Sequence, residues 1–370
     1  IEIINRLSKT SNSSILPKVE YEDIIAEEGR LNKDISNKFD SRKGILFQPK
    51  NILYGKLRPY LKNWLYPDFK GVAVGDFWVF EAIEATPRFI YNLIQSDSYQ
   101  KVANDTAGTK MPRSDWTKVS NSSFFIPKES SEQKRIGTFF KQLDDTIALH
   151  QRKLDTLKQM KKGLLQQMFP KSEEDVPKIR FADFDEEWYQ RKLGEEFEKI
   201  NERNDGSFGK THWISVAKMY FVEPNKVLSN NIDTRTYVMR KGDIAFEGHS
   251  NTDFKFGRFV ANDIGPGIVS ELFPVYRHKT NYDNNYWKNA IQLEHIMAPI
   301  YSKSITSSGN SSNKLDSKHF LNQKIYIADF EEQEKIGSIF KQLDNTIILY
   351  QNKLNKFDIL KKAYLQTMFI

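Results

Sequence analysis

The sequence predicts an α+β protein in which two globular, mixed α/β units are separated by two long helices packed as an antiparallel coiled coil. The first observation is a pseudo-two-fold internal repeat: residues 132–169 recur at 332–369 without a gap, and 21 of 38 aligned positions are identical. The second is an apolar spacing of four and three residues sustained along both copies, which is typical of coiled coils. The third is that the segments before the two copies differ in sequence but follow the same plan. A repeat of this kind indicates a chain that is built twice.

The repeat predicts where the segments of the chain begin and end. Pro170 cannot continue the first helix, and the charged, proline-containing stretch after it is typical of a linker. The segment 184–194 has no counterpart before Ile1, so we expect about two dozen residues to be missing at the N-terminus. The expected segments are a first globular domain at 1–131, a first helix at 132–169, a linker at 170–187, a second globular domain at 188–331 and a second helix at 332–370.

The two repeated helices are expected to pack along an apolar seam. At 1.5 Å per residue, a helix of about 38 residues spans about 57 Å. An amphipathic helix lying on a globular core is the alternative, although such helices rarely keep a strict heptad so long. The spacing continues to Tyr364 and Met368 in the second copy. The expected seam residues are Ile136, Phe140, Leu143, Ile147, Leu154 and Leu157 in the first helix, and Ile336, Phe340, Leu343, Ile347, Leu354 and Phe357 in the second.

A lysine interrupts the seam at the equivalent position of both copies. If the helices are antiparallel with full overlap, Lys161 lies beside Asp344 and Lys361 lies beside Asp144. We therefore predict that each lysine reaches an aspartate of the other helix and fixes the register. The alternative is a lysine whose ammonium group extends out to water.

Strands and helices of the two globular domains follow from short apolar runs bounded by turn residues. Runs rich in β-branched and aromatic residues predict strands, and apolar residues on one helical face predict helices. In the first domain we expect strands at 44–47, 52–54, 71–74, 77–80 and 123–127, and a helix at 87–103. In the second we expect strands at 242–246, 258–260, 268–269 and 324–328, and a helix at 284–300.

Composition argues against several classes of function. The chain of 370 residues has no cysteine, which excludes disulfides and thiolate metal sites and agrees with a reducing cytoplasm. Its six histidines are scattered, and no apolar run approaches the roughly 20 residues that span a bilayer. The segment 206–211 resembles a phosphate-binding loop, but Asn204 stands where that motif requires glycine. No Asn/Asp-Pro-Pro-aromatic methyltransferase signature occurs. We therefore expect no catalytic residues, no metal and no cofactor bound by this chain.

Basic and polar loops are the remaining candidates for function. The net charge of +7 suggests a nucleic acid or an acidic partner. Residues 53–62 interleave cations with tyrosines, and 107–116 form a basic loop in which glycine allows close approach. Ordinary exposed turns are the alternative for each loop. The residues expected to contact DNA are Tyr54, Lys56, Arg58, Lys62, Thr109, Lys110 and Arg113 in the first domain, and His249, Ser250, Asn251, Lys255, Arg258, Ser308, Asn310, Ser312 and Lys314 in the second.

Three sequence features resemble one known family. They are Gly-Thr-Lys-Met-Pro-Arg at 108–113, the segment 52–60, and the two Glu-Gln-x-x-Ile-Gly helix starts at 132 and 332. Together with the duplicated architecture, they resemble the specificity subunit of type I restriction-modification systems.

The resemblance implies a bacterial cytoplasmic protein that catalyses nothing itself. It implies two target-recognition domains, each reading one half of a split, asymmetric site in double-stranded DNA. It also implies a helical spacer that docks two methyltransferase subunits carrying S-adenosylmethionine, with restriction and translocase subunits joining the full complex. A coiled-coil scaffold with two protein-binding modules is the alternative.

Overall fold

The chain forms two compact units, each of which receives one part of both long helices. The computed structural model describes residues 2–106, 110–171, 174–228, 232, 235–308 and 312–369. Unit 1 comprises Ile1–Arg152 and Tyr350–Ile370, and unit 2 comprises Lys153–Leu349. The predicted mixed architecture with two long helices is confirmed.

The described residues of unit 1 contain ten strands, which form two four-stranded sheets and a hairpin. The orders are β1-β10-β7-β8 and β2-β6-β9-β3, and only the β3–β9 pair is parallel among them. The strands are β1 (Ile4–Leu7), β2 (Thr10–Ser11), β3 (Lys18–Val19), β4 (Ile24–Ile25), β5 (Arg30–Leu31), β6 (Gly44–Phe47), β7 (Ile52–Gly55), β8 (Trp64–Leu65), β9 (Gly71–Ala73) and β10 (Phe77–Ala82).

Unit 1 has one apolar core on each face of its first sheet. Along β10, Phe77 and Val79 face the core shared with the second sheet, whereas Trp78 and Phe80 face the core shared with the helices. This alternation is the two-residue period of a strand. The helices of unit 1 are α1 (Pro87–Leu93), α2 (Asp97–Ala103), α3 (Trp116–Ser120), the first part of α4 (Ser130–Gln167) and the last part of α9 (Phe330–Met368).

Unit 2 repeats the order of the first sheet. Its sheet runs β12-β19-β16-β17, so that β16 corresponds to β7 and β19 to β10. The strands are β11 (Tyr189–Lys192), β12 (Phe197–Ile200), β13 (Ile214–Ser215), β14 (Tyr220–Phe221), β15 (Thr236–Met239), β16 (Ile244–Glu247), β17 (Arg258–Ala261), β18 (Gly267–Ser270), β19 (Val275–His278), β20 (Ile305–Ser308), β21 (Asn313–Leu315) and β22 (Lys324–Ile327). The helices of unit 2 are α5 (Leu193–Glu196), α6 (Asn284–Ala290), α7 (Glu294–Ser304), α8 (Ser317–Asn322), the last part of α4 and the first part of α9 (Phe330–Met368).

Each of the two helices predicted inside the globular domains is in fact two helices. Helix α1 ends before Ser96, whose side chain accepts a hydrogen bond from the Tyr99 N–H and caps α2. In unit 2, Leu293 is the N-cap residue of α7, which follows α6 after a short turn. The prediction of single helices at 87–103 and 284–300 is therefore wrong.

A predicted strand at 123–127 is also wrong. These residues belong to no ladder, whereas the corresponding β22 of unit 2 pairs with β11. A strand needs a partner for its backbone groups, and the described residues of unit 1 provide none here. The loop predicted at 307–314 is partly a hairpin, since β20 pairs with β21.

The repeated helix start attaches each long helix to its own unit. In unit 1, the buried Gln133 accepts from the Thr86 N–H at 2.9 Å and donates to the Pro127 carbonyl at 2.9 Å. Gln333 makes the equivalent bonds in unit 2, to the Asp283 N–H at 3.4 Å and the Ala328 carbonyl at 2.9 Å. The repeated glutamine thus has a structural function that its conservation between the two copies reflects.

The seam residues are buried as predicted along most of both helices. Ile147, Ile347 and Phe357 are half-buried. Near the end of α9, however, Leu365 and Phe369 are buried while Tyr364 and Met368 are 37% and 38% exposed. A straight helix drifts by about 20° per heptad relative to a strict seven-residue repeat, which moves the buried face. The buried seam residues are Ile136, Phe140, Leu143, Leu154, Leu157, Ile336, Phe340, Leu343 and Leu354.

The predicted lysine–aspartate pairs are confirmed. In unit 2, Lys161 Nζ lies 2.6 Å from Asp344 Oδ1. In unit 1, Lys361 Nζ lies 2.8 Å from Asp144 Oδ1. Within each unit, α4 and α9 therefore meet in opposite directions.

Candidate nucleic-acid interface

Two basic segments that are far apart in the sequence of unit 1 are joined by backbone hydrogen bonds. The Arg58 N–H donates to the Pro112 carbonyl at 2.7 Å, and the Ser114 N–H donates to the Lys56 carbonyl at 2.8 Å. The segment after β7 and the segment before α3 therefore form one surface, which we call surface 1 and define by Lys56, Arg58, Lys110 and Arg113.

A single carboxylate organises the cations of surface 1. Asp76 lies in the turn before β10, with Lys56 Nζ 3.7 Å and Arg113 Nη2 3.2 Å from its carboxylate. The Tyr21 hydroxyl donates to the Asp76 carbonyl at 2.6 Å and accepts from the Leu57 N–H at 3.1 Å. Burial raises the pKa of Tyr21, so the hydroxyl remains a donor. Two of the four cations that define surface 1 thus pair with Asp76, whereas Arg58 and Lys110 form no ion pair with the described residues.

Backbone geometry presents the turn between β7 and β8 to solvent. Arg58 and Lys62 adopt left-handed conformations with φ of 49° and 54° on either side of a short turn, Pro59–Leu61. Non-glycine residues adopt this conformation infrequently, and such strain clusters at functional sites. Tyr60 is 56% exposed at the tip, beside the exposed Arg58. Lys62 instead pairs with Glu27, at 3.1 Å.

The prediction that Tyr54 contacts DNA is wrong. Its side chain is fully buried in the helix-facing core, where its ring lies 5.5 Å from that of Tyr99 and 6.1 Å from that of Trp78. Burial raises the pKa of Tyr54 to about 12. The strand period explains the error, because a residue of a central strand covered on both faces has no surface position. Lys110 is exposed, and Thr109 lies outside the described residues.

Unit 2 brings together the two segments predicted for it. The Asn313 N–H donates to the Gly248 carbonyl at 2.8 Å, which joins the β16–β17 connection to β21. A Cβ at Gly248 would lie 2.2 Å from the Asn313 carbonyl oxygen, so only glycine permits this approach. We call this surface 2 and define it by His249, Ser250, Asn251, Ser312 and Lys314, of which Ser312 is half-buried and the others exposed.

Local hydrogen bonds shape surface 2. The buried Glu247 carboxylate accepts from the His249 N–H at 3.0 Å and also contacts the ring nitrogen Nδ1. Asn251 Oδ1 accepts from the N–H groups of Asp253 and Phe254, each at 2.9 Å, and so holds the turn. The residue is exposed, and its amide NH₂ donates no hydrogen bond to the described residues.

The other predicted contacts of unit 2 divide into structural and exposed groups. Arg258 is half-buried, donates to the Ala217 carbonyl at 2.6 Å and stacks 4.7 Å from the centre of the Phe254 ring. Lys255 is exposed, with its ammonium group 5.5 Å from the Phe256 ring. The Ser308 side chain and Asn310 lie outside the described residues.

Sequence reasoning missed Asp76, Tyr21 and Glu247, which hold these surfaces together. The Gly75-Asp76 turn was visible between two predicted strands. Its relation to Lys56 depends on the pairing of β7 with β10, which no local pattern specifies. Surface 1 and surface 2 each extend from the strand, β7 or β16, that has the same place in its sheet.

These features define the class of protein: two mixed α/β units of the same sheet order, each attached to long, paired helices, which present different polar loops at the same position of the sheet.

Comparison with known proteins identifies a known domain in the first part of the chain. Residues 3–159 match the model of the type I restriction modification DNA specificity domain, and the chain carries this domain. The resemblance found in the sequence is confirmed. No curated protein matches the sequence.

Two solved structures share the fold over nearly the whole chain. One comes from work on complex assembly and conformational transition of the type I R-M system, with 16% identity, a TM-score of 0.54 and coverage of 98% of this chain and 96% of that chain. The other is the S subunit of the type I restriction-modification system from M. genitalium, with 13% identity, a TM-score of 0.59 and coverage of 99% and 93%. At these identities the likeness concerns the fold.

In the part of the chain that the structure describes, no helix combines the length and the apolar character needed to span a bilayer. Within the same residues, no group of three or more His, Asp or Glu side chains is placed to hold a metal ion.

Proposed function

We propose that this chain is the non-catalytic DNA-reading subunit of a type I restriction-modification complex, in which each unit reads one half of a bipartite, asymmetric site. The observation that carries the proposal is the repeated sheet order with unlike loops at the same position. A common scaffold gives both loops the same platform, and their different chemistry gives each its own target.

The two surfaces suit different base edges. Surface 1 offers Arg58 and Arg113, and a guanidinium can pair with O6 and N7 of guanine in the major groove. Surface 2 offers the amide NH₂ of Asn251, which can donate to N7 of a purine while Oδ1 holds the turn, and a hydroxyl at Ser250. Lysines on both surfaces can neutralise phosphates. Two unlike half-sites are therefore expected.

Asp76 has a defined part in this proposal. It holds Lys56 and Arg113 in place before DNA arrives, at 3.7 Å and 3.2 Å. It also repels phosphate, which favours approach only where Arg58 and Lys110 supply compensating charge. Such an arrangement favours specific docking over general attraction to the DNA backbone.

The long helices are proposed to set the distance between the half-sites and to dock two methyltransferase subunits that carry S-adenosylmethionine, with restriction and translocase subunits completing the complex. Support comes from apolar side chains that both helices leave exposed. Leu149 and Leu349 are equivalent in the repeat, as are Met160 and Leu360, which suits two copies of one partner. The exposed residues are Leu149, Ile359 and Leu360 in unit 1, at 59%, 68% and 40%, and Met160, Ile348 and Leu349 in unit 2, at 44%, 57% and 51%.

Binding to duplex DNA in the presence of the methyltransferase subunit tests the reading function. Selection from random duplexes should return two unlike half-sites. The double variant Arg58→Ala/Lys110→Ala should bind the selected duplex about 10- to 100-fold more weakly, and the slope of log affinity against log salt should fall by about 2. The matched control, Lys101→Ala/Lys141→Ala, removes two exposed helical charges of the same unit and should leave both quantities near wild type. Unchanged affinity and salt slope in the first variant would remove surface 1 from the interface.

An inserted heptad tests the spacer. Adding seven residues within 147–160 lengthens α4 by about 10 Å while preserving its apolar period. Methylation mapping should then show a changed spacer between unchanged half-sites. Altered half-site sequences would contradict the division of functions between helices and units.

A further inference from the structure

Three large apolar side chains are exposed among the cations of surface 1. Tyr60 is 56% exposed, Met111 is 48% exposed and Leu61 is 41% exposed. The Arg58 N–H donates to the Pro112 carbonyl at 2.7 Å, so the chain neighbours of this bonded pair lie on one surface. We call Tyr60, Leu61 and Met111 the apolar cluster. Exposed apolar side chains that are rimmed by polar residues mark sites of interaction.

Main-chain hydrogen bonds fix the turn that carries two members of the apolar cluster. The Leu61 N–H donates to the Arg58 carbonyl at 2.8 Å, and the Lys62 N–H donates to the Pro59 carbonyl at 2.9 Å. Pro59 itself is buried, and the Lys62 carbonyl accepts from the Glu27 N–H at 3.0 Å. The turn therefore holds its exposed side chains out on a rigid support, since covering them would require these bonds to break.

The cations beside the apolar cluster point to a polyanion as its partner. Arg58 and Lys110 form no ion pair with the described residues, whereas Lys56 and Arg113 share Asp76. A matching partner presents flat or apolar groups and negative charge side by side. Duplex DNA presents both, because its stacked aromatic bases lie between two rows of phosphates.

We propose that the apolar cluster is a wedge that enters between two stacked base pairs of the half-site read by unit 1. This inference rests on the proposed function of surface 1. Apolar side chains that enter a base step partly unstack it and kink the duplex. Arg58 and Lys110 stand beside the opened step and neutralise its phosphates. Pyrimidine–purine steps unstack most easily, so the wedge is expected at such a step.

Surface 2 lacks an equivalent wedge in the connection that follows β16. Within 248–257, the exposed side chains are polar, and the aromatic residues Phe254 and Phe256 are half-buried. Arg258 stacks 4.7 Å from the centre of the Phe254 ring. The kink is therefore expected in one half-site only, and the other half-site is a control within the same complex.

The fluorescence of 2-aminopurine tests the wedge with the full chain bound to its selected duplex in the presence of the methyltransferase subunit. This base analogue brightens when its neighbours unstack, and it is placed at each step of both half-sites in turn. One step of the half-site read by unit 1 should brighten several-fold. Tyr60→Ser should abolish this rise and weaken binding by about ten-fold, whereas the matched control Tyr60→Phe retains the ring and should preserve both.

A base extruded by the methyltransferase subunit also brightens, but its signal does not depend on Tyr60. The wedge is therefore identified by the difference between wild type and Tyr60→Ser. A second control, Ile15→Ala, removes an apolar side chain of unit 1 that is 80% exposed outside surface 1 and should behave as wild type does.

A mismatch at the brightened step separates insertion from ordinary surface contact. Wild type should bind the mismatched duplex about three-fold or more tightly than the matched one, because a mismatched step costs less to unstack. Tyr60→Ser should bind the two duplexes equally, since it does not open the step.

Specific binding with no Tyr60-dependent rise at any step would overturn the wedge and leave the proposed function intact. A Tyr60-dependent rise in both half-sites, or an equal response of wild type and Tyr60→Ser to the mismatch, would also overturn it. Absence of sequence-specific binding by wild type would instead overturn the proposed function, together with the inference that rests on it.

Discussion

The pair formed by Lys161 and Asp344 should contribute measurably to the stability of unit 2. Their charged atoms are 2.6 Å apart, and the side chains are only 23% and 29% exposed. Two unit charges about 4 Å apart interact by about 1 kcal/mol in water and about 4 kcal/mol at an effective dielectric constant of 20. Ordering and partial desolvation of both side chains reduce this gain. We expect a coupling free energy of about 1–2 kcal/mol.

A double-mutant cycle with Lys161→Met and Asp344→Asn measures that coupling. Methionine retains the apolar stem that packs in the seam, and asparagine retains the shape of the side chain. Urea unfolding at neutral pH, followed by circular dichroism, gives the four free energies of unfolding. A coupling below about 0.3 kcal/mol would lie within the range of independent sites and would refute the reasoning.

Unit 1 provides an internal comparison. Asp144 contacts Lys361 at 2.8 Å and also contacts Arg88 at 2.8 Å. Because Arg88 remains after Lys361→Met, the measured coupling of Lys361 to Asp144 should be the smaller of the two. It should rise when Arg88→Met is introduced, since Lys361 is then the remaining cation on that carboxylate.

Two further stability predictions concern glycine and histidine. Gly337→Ala should lower the free energy of unfolding by about 1–3 kcal/mol, because the new Cβ would lie 1.9 Å from Oδ1 of Asp283, the residue that caps α6. Gly163→Ala places its Cβ in open space and should raise the free energy of unfolding by about 0.5–1 kcal/mol. Urea unfolding measures both, and equal effects of the two changes would contradict the packing argument. Burial lowers the pKa of His278 to about 3, whereas an unfolded histidine has a pKa of about 6.5. Between these values the unfolded chain binds one proton more than the folded chain, so the free energy of unfolding falls as the pH falls. Through this residue, wild type should lose about 2 kcal/mol of stability between pH 7 and pH 5. His278→Phe should remove that part of the loss, and an identical pH dependence of unfolding in both proteins would show that His278 is not responsible.

Much of the helical architecture could be predicted because its determinants are local or repeated. The four-three spacing lies within one segment of sequence. The assumption that the two helices are antiparallel and overlap fully was then enough to place Lys161 near Asp344. The drift at the end of α9 could not be read from spacing alone. There the helix geometry, rather than the heptad, decides that Leu365 is buried and Tyr364 is not.

The candidate surfaces were predicted only in part because strands pair over long sequence distances. The basic segments around Arg58 and Arg113 were identified separately, but Asp76, which lies between them in the chain, was not. Tyr54 was misassigned since a tyrosine among cations is typical both of an interface and of a central strand. Burial on both faces of the sheet separates the two cases, and that is a property of neighbouring elements.

The sequence by itself determined that the chain is duplicated, that two long helices carry its constant parts and that unlike loops carry its variable parts. Those conclusions depend on periodicity and identity, which are properties of residue order. Tertiary structure alone decided that both units share one sheet order, that Asp76 joins two basic segments and that Tyr60 is exposed where Tyr54 is buried. These features arise from hydrogen bonds and contacts between distant residues, whose free energy depends on which segments meet in space.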